Sequence, residues 1–588
     1  MTYDGRAGYG ARQRKSSWSF IVLLCFDCIL LSVHATGQSR ASVVIDLSKA
    51  VGTLTNTSIG VLAPTSDSNS LGPDILPNLR AVGITSLRYP GSPGSADLYH
   101  WSTNTSVARK GSEAGVIAPG NDFGHFALFA EQLGQAVIVV NYGTNYDGSG
   151  GGQPAEAAAW VAYANGDVAN MHELGPDSTG KDWHTVSYWA TLRGEAPIAN
   201  DDGLNFLRLH HPRPFGFKLW QIGDEPYNNG YPGGDQTGNP NLYPNFSGSP
   251  NYAEKTRKTI LLSPSSYAQN LSTFARAMKT VDPSIQIGAA FVGFPYPGIK
   301  LARSWLGPKY RDWLTDNFHD WNQEVLKGAC ANIDFVTLPW FLQPLRKDWR
   351  TLNEPYLLDN VNFGYTYGTS HSADAMSLLG EINAEPDTSA SLALIDRWLT
   401  LEISRDCAKG HFPGIALAPA GIGTWMKIDH PVVEALWVAD FYAFLIESHV
   451  LNANWTEVDG VSMLSADRKR FGPVYYGLQM LHTVADAPGD LFLDVKSNSA
   501  LVGAHATNRR DGYTGIMLVN KDPKYAITVK VTLKNGSIGA SGKRFDYGNA
   551  QYAAGQPIAE SKFYASGEAL IVSIPPYTVT DLVFPNGH

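Results

Sequence analysis

Eight short apolar runs, separated by polar loops and helical stretches, constrain this chain more than any other feature. They are SIGVLAP (58–64), ITSLRYPG (84–91), AVIVVNYG (136–143), FKLWQIGDEP (217–226), IQIGAAFVG (285–293), IDFVTLPWF (333–341), GIALAPAG (414–421) and ANWTEVDG (453–460). Between them lie segments of helical character, such as QPAEAAAWVAYANG (153–166), SPSSYAQNLSTFARAMKTVDP (263–283) and TSASLALIDRWLTLEISRDCAKG (388–410). Strand-length apolar runs alternating with helices argue for an α/β fold, a parallel sheet covered on both faces. Eight strands close into a (β/α)8 TIM barrel, with functional groups at the C-terminal strand ends. We therefore assign residues 58–481 to a barrel. After Leu481 the pattern becomes short alternating runs with turn residues between them, which predicts a C-terminal antiparallel β-sandwich over 482–588. SVVIDLS (42–48), within 36–57, reads as a strand that joins that sandwich.

The N-terminus has its own logic. Arg6, Arg12, Arg14 and Lys15 precede the apolar run WSFIVLLCFDCILLSV (18–33), and small residues follow at Val33 and Ala35. This is the pattern of a secretory signal over 1–35, cleaved near Ala35. The alternative, an N-terminal membrane anchor, is disfavoured because the run is shorter than a span. Asp27 near its centre would also cost roughly 3 kcal/mol. The mature chain is expected to be secreted or extracytoplasmic and to lack an integral membrane span. Cys25 and Cys28 fall within the signal, so of four cysteines only Cys330 and Cys407 remain to form a bridge outside the cell, a pairing the sequence leaves open. With a formal charge of −9 over 588 residues and no basic patch beyond the first fifteen, nucleic acid is not expected as a partner. There is no H-E-x-x-H, no G-x-S-x-G and no Rossmann fingerprint, so neither a metal nor a cofactor is expected. The tract DGSGGGQP (147–154) lacks the lysine of a phosphate loop and reads as a rim loop.

One stretch carries the chemistry. WQIGDEP (220–226) ends the fourth run with two acids, which places both on the open rim of a barrel. Buried acids are costly unless paired or used. A retaining glycosidase needs an acid/base carboxyl and a nucleophilic carboxyl about 5–5.5 Å apart. Adjacent residues on a strand point to opposite sides, so Asp224 and Glu225 do not fill both roles together.

LWQIGDEPYNNGY resembles the W-x-x-G-N-E strand of the α-L-arabinofuranosidase-like retaining glycoside hydrolases of the (β/α)8 clan. SLRYPGSPGSADLYHW is similar to that family's arginine-bearing second strand, and VVNYGTNYDGSGGGQPAEAAAWVAYANG to its third strand and following helix. IDFVTLPWF, FGPVYYGLQML and the PPYTVTDLVF sandwich segment extend the resemblance over roughly 43–588. The resemblance implies Glu225 as general acid/base and a carbohydrate substrate or ligand, by family default an arabinofuranoside. Arg88 would orient carboxylates at the barrel floor, and Trp220 would line or support the site. Asn141, Tyr142, Asp224 and Trp340 would contact sugar.

The chain departs from the pattern in three places. Asp224 stands where the family has an asparagine, and a carboxylate accepts hydrogen bonds where an amide can also donate. Pro339 replaces a histidine on the sixth strand. Ala418 and Ala420 end the seventh strand, where the nucleophilic glutamate belongs, and no acid occurs between Asp406 and Asp429. Substitutes for the second carboxylate are Glu381, Glu385 and Asp429, with Glu457 and Asp459 at the eighth strand's end; Glu402 reads as a helix-face residue. Two readings follow: an exported glycosidase using Glu225, and a carbohydrate-binding barrel that has lost turnover. A purely structural or adhesive surface protein is a third, supported only by the signal and the sandwich.

Overall fold

The eight apolar runs all become strands, and they close on themselves in sequence order. The computed structural model describes residues 39–67, 70–91, 95–107, 115–144, 151–226, 264–291, 321–342, 354, 358, 403, 405–408, 410–422, 428–456, 463–465, 469–539, 541–565 and 569–586. The segment 1–35, expected from its sequence to be a secretory signal, lies outside them. A long strand β1 (Ser39–Thr53) precedes the barrel strands β2 (Ile59–Leu62), β3 (Ser86–Tyr89), β4 (Gln135–Val140), β5 (Leu219–Ile222), β6 (Gln286–Ala290), β7 (Phe335–Leu342), β8 (Gly414–Ile422) and β9 (Asn452–Trp455). Each of β2–β9 pairs with its neighbours in parallel, and β9 returns to β2, so the barrel is closed.

Helices cover it from outside: α1 (Ile75–Ala81), α2 (Phe123–Leu133), α3 (Pro154–Asn165), α4 (Val186–Gly194), α5 (Pro264–Val281), α6 (Trp321–Ala329), α7 (Val432–Glu447) and α8 (Pro473–Val484). The caps are local and legible. Asp122 accepts from the His125 N–H to start α2, Thr185 accepts from the Tyr188 N–H to start α4, and Pro154 occupies the first turn of α3.

The barrel interior is filled by side chains on the inward register. Val137, Leu219, Phe335 and Ala416 form an apolar cluster separate from the main core, with Leu451 against it. Gly288 is required beside them, since a Cβ there would meet the Phe335 ring at 2.4 Å. Towards the C-terminal end the filling becomes polar. Arg88 of β3, Gln221 of β5, Thr337 of β7 and Asn454 of β9 are all buried. They come from alternate strands, and the strand registers set them at one level; alternate strands supply the four side chains of each layer in such a barrel.

The C-terminal strands are β10 (Leu491–Ser497), β11 (Val502–Asn508), β12 (Tyr513–Asn520), β13 (Ile527–Lys534), β14 (Ser541–Gly548), β15 (Ala559–Tyr564), β16 (Ala569–Ile574) and β17 (Thr578–Pro585). With β1 they make a nine-stranded sheet in the order β15-β14-β17-β12-β11-β10-β1-β13-β16. The sheet curls around its own core of Val43, Val495, Leu518, Val529, Val572 and Phe584. Its pairs are antiparallel except that between β1 and β13. The (β/α)8 barrel and antiparallel sandwich are those the strand pattern predicts. The other face of the sheet, through Met517, Val519, Tyr547 and Val579, continues the main barrel core. That is why α7, VVEALWVADFYAFLIE, is apolar nearly all round: residues 435–446 are buried without interruption.

Candidate active site

β5 ends at Ile222, and the next residues leave the pleat. Gly223 has φ +72° and Glu225 has φ +53°. A side chain at 223 would also meet Tyr142 Cβ at 2.9 Å, so glycine alone fits. A left-handed backbone costs an L-residue about 1–2 kcal/mol, and Glu225 is held in it by its surroundings.

Asp97, in the loop after β3, supplies much of that hold. Its Oδ1 accepts from the Tyr142 N–H at 2.9 Å and its Oδ2 from the Asp224 N–H at 3.0 Å. Thr144 Oγ1 donates to the Asp97 carbonyl at 2.8 Å. One buried carboxylate thus ties the end of β4 to the end of β5. On the other side, Tyr267 of α5 donates to the Ile222 carbonyl at 2.7 Å and accepts from the Ala290 N–H at 2.9 Å, joining β5 to β6. Asp97 escaped the sequence reading although SADLYHW was on view, because nothing local says that its carboxylate caps two strand ends.

The sequence reading places both acids on the rim, and here Asp224 departs from it. Asp224 is 3% exposed and turns into the barrel, where Arg88 Nη2 donates to its Oδ1 at 2.7 Å and to Gln221 Oε1 at 3.2 Å. The left-handed turn breaks the strand alternation, and a guanidinium inside the barrel attracts the nearest carboxylate. Burial raises the Asp224 carboxyl above the ordinary aspartate range, and Arg88 only partly offsets it. Glu225 is half-buried.

Arg88, expected to orient carboxylates at the barrel floor, donates to Asp224 inside the barrel. Trp220 is wholly buried outside the barrel; its indole donates to the Phe217 carbonyl at 2.9 Å and meets Trp160 edge-on. It supports the strand as core. Asn141 and Tyr142 are 5% exposed. Asn141 is engaged with Thr144 and the Tyr99 carbonyl, while the Tyr142 hydroxyl accepts from Asn270 Nδ2 at 3.1 Å. Both residues build the rim loop through these bonds. Trp340 and Pro339 lie in β7, with Trp340 in register with Ala420 of β8.

Ala418 and Ala420 are buried at the end of β8. Glu381, Glu385, Glu402, Glu457 and Asp459 lie outside the described residues. Asp429 is exposed in the segment that enters α7. Beside it sits a carboxylate the sequence reading missed: Glu354 accepts from the His430 N–H at 2.5 Å, pairs with the His430 ring at 2.8 Å and accepts from Tyr577 Oη at 3.4 Å. Among the described residues no group of three His, Cys, Asp or Glu is arranged to hold a metal ion. No helix among them is long and apolar enough to cross a membrane.

A closed parallel barrel with a curled antiparallel sheet against its flank is a fold this chain shares with solved structures of low sequence identity. The α-L-arabinofuranosidase from Thermotoga maritima, in its arabinose complex, superimposes with a TM-score of 0.59 at 15% identity, covering 93% of this chain and 100% of that one. The GH51 arabinofuranosidase from Xanthomonas axonopodis pv. citri gives 0.60 at 14% identity, with 92% and 100% covered. A Paenibacillus polymyxa xyloglucanase of family 44 gives 0.58 at 12%, with 93% and 100% covered. No protein-family model matches the sequence, and the comparison with curated proteins found no match.

Proposed function

We propose that this chain is an exported glycoside hydrolase acting on oligosaccharide or polysaccharide, with Glu225 as its general acid/base. The observation that carries the reading is the position of Glu225. It is a half-buried carboxyl just past the C-terminal end of the fourth barrel strand, where barrel enzymes keep their catalytic groups. A partly desolvated carboxyl is suited to donating a proton to a leaving glycosidic oxygen. The neighbours named as arabinofuranosidases and as a xyloglucanase support a carbohydrate substrate, with an arabinofuranoside the first to test. Export is supported by the signal pattern and by the Cys330–Cys407 disulfide, which persists in oxidising compartments.

Ala418 and Ala420 favour a second reading, a barrel that binds carbohydrate without cleaving it, because a methyl group cannot attack an anomeric carbon. A panel of aryl glycosides, arabinofuranosides included, assayed with the native protein and Glu225→Gln separates the two. Hydrolysis by the native protein that Glu225→Gln loses supports the enzyme. Equal background rates from both, with polysaccharide retarding the protein in a native gel, support the binder.

A further inference from the structure

Six Asn-x-Ser/Thr triplets, none with proline in the middle, begin at Asn56, Asn104, Asn245, Asn270, Asn454 and Asn535. Such a triplet is the acceptor for N-linked glycosylation in an exported chain, and the fold sorts them. Asn454 is wholly buried inside the barrel, where its Nδ2 donates to Asn452. On α5, Asn270 Nδ2 donates to the Tyr142 hydroxyl at 3.1 Å and so helps to hold the rim loop. Asn535 Nδ2 donates to Asp46 Oδ1 at 2.8 Å and to Ser48 Oγ at 3.0 Å, which ties the end of β13 to β1. Asn104 Oδ1 accepts from the Tyr99 hydroxyl at 3.0 Å. Asn245 lies outside the described residues. Asn56 differs from the four described others: it is exposed, and among the described residues no group engages its carboxamide.

The turn that carries Asn56 is itself fixed. It joins β1 to β2, with the Ser58 N–H donating to the Thr55 carbonyl at 3.4 Å and the Thr55 N–H to Ser58 Oγ at 3.0 Å. Thr57 Oγ1 donates to the Leu451 carbonyl at 2.9 Å, which pins the turn to the residue before β9. Asn56 stands at the second position of this four-residue turn. Because it precedes β2, it lies at the N-terminal end of the barrel, opposite the rim that bears Glu225.

We propose that Asn56 is an N-linked glycosylation site of this protein. The inference rests on the export proposed above and not on glycoside cleavage. The donor is an oligosaccharide joined through diphosphate to a lipid, which a secretory pathway supplies together with its transferase. A bond forms between Asn56 Nδ2 and the anomeric carbon, and the bond from that carbon to the diphosphate oxygen breaks. The lipid diphosphate leaves, and one amide proton passes to a base of the transferase. At Asn56 a bulky, solubilising chain displaces no hydrogen bond and leaves the open end of the barrel clear. At Asn535 the same addition would remove one of the two N–H donors that both have acceptors. At Asn270 it would set a glycan beside Tyr142, on the rim loop.

The test expresses the full chain in a eukaryotic host that N-glycosylates its secreted proteins, and maps the protein recovered from the medium. Deglycosylation by an amidase in oxygen-18 water turns each glycosylated asparagine into a labelled aspartate, so occupancy is read peptide by peptide. Label at position 56 is expected, with none at position 454. Asn56→Gln should lower the intact mass by one glycan and leave the thermal unfolding of the deglycosylated protein unchanged. Secreted protein with Asn56 unmodified overturns the proposal while export stands. Label at position 454 equally overturns it, since burial would then not sort the sites. A chain retained in the cytosol overturns the export reading instead, and a foreign secretory signal in place of 1–35 then tests the site alone. Modification of Asn56 in that fusion supports the site, and an unmodified Asn56 there overturns it.

Discussion

Arg88 and Asp224 meet at 2.7 Å inside the barrel, one from the second strand and the other from the turn after the fourth, with neither side chain reaching solvent. The pair gives the aspartate of the G-D-E stretch its place: among the described residues the Arg88 guanidinium otherwise donates to Gln221 alone. Because burial raises the Asp224 carboxyl, the fold favours its protonated form. Its contribution is therefore complete below the ordinary value of 3.8 and is lost as pH rises through the raised folded value. Asp224→Asn should flatten that loss and be at least as stable as the native protein at neutral pH. Urea unfolding across the acid-to-neutral range measures it, and a steeper loss in the variant would contradict it.

Glu225 occupies a left-handed backbone that an L-residue does not prefer. Glu225→Gly should therefore be more stable than Glu225→Ala by about 1 kcal/mol. Thermal or denaturant unfolding of the two variants decides it, independently of any substrate. Equal stabilities would mean that the turn is not strained.

Asp97 caps two strand ends with one carboxylate. Asp97→Asn keeps one acceptor and turns an amide N–H donor towards a backbone N–H, at a cost of about 1–3 kcal/mol. Hydrogen exchange at the Tyr142 and Asp224 amides should quicken while exchange in the sandwich is unchanged. Uniform quickening across the molecule would show a global effect instead.

His505 of β11 bridges the sandwich to the barrel. Its Nδ1 donates to Glu447 at 2.8 Å and its Nε2 to Asp440 at 2.7 Å, both on α7, while Lys521 Nζ lies 2.5 Å from the other Asp440 oxygen. The two carboxylates hold the imidazolium up to about 10 against the opposing effect of burial. The sign follows: stability from this group is full below about 6.5 and is lost as pH rises towards about 10. His505→Gln should remove that slope and destabilise the neutral protein by about 3–5 kcal/mol, because it takes a buried cation from between Glu447 and Asp440. A variant that retains the alkaline slope would place its origin elsewhere.

Cys330 and Cys407 are bridged across 77 residues. Closing a loop of that size is worth about 4.5 kcal/mol in the chain-entropy picture. The Cys330→Ser/Cys407→Ser double variant should unfold at correspondingly lower denaturant. Free thiols at these positions in protein purified under oxidising conditions would contradict the bridge.

Local pattern determined the architecture. The alternation of β-branched runs with helices specifies eight parallel strands, and the switch to period-two patterning after Leu481 specifies the sandwich, because burial on one or two faces is written directly in side-chain periodicity. The position of Glu225 at a strand end was equally legible. What only the tertiary structure decided is which groups meet across the barrel. Asp224 turns inward because the left-handed turn overrides strand alternation and Arg88 waits inside. Asp97, Gln221 and Glu354 gain their roles from strands, loops and helices far from them in sequence, as His505 does from α7. Periodicity reports how a residue faces its own element; which charge lies opposite is set by the closure of the barrel and the docking of the sandwich, and no single stretch of sequence records that.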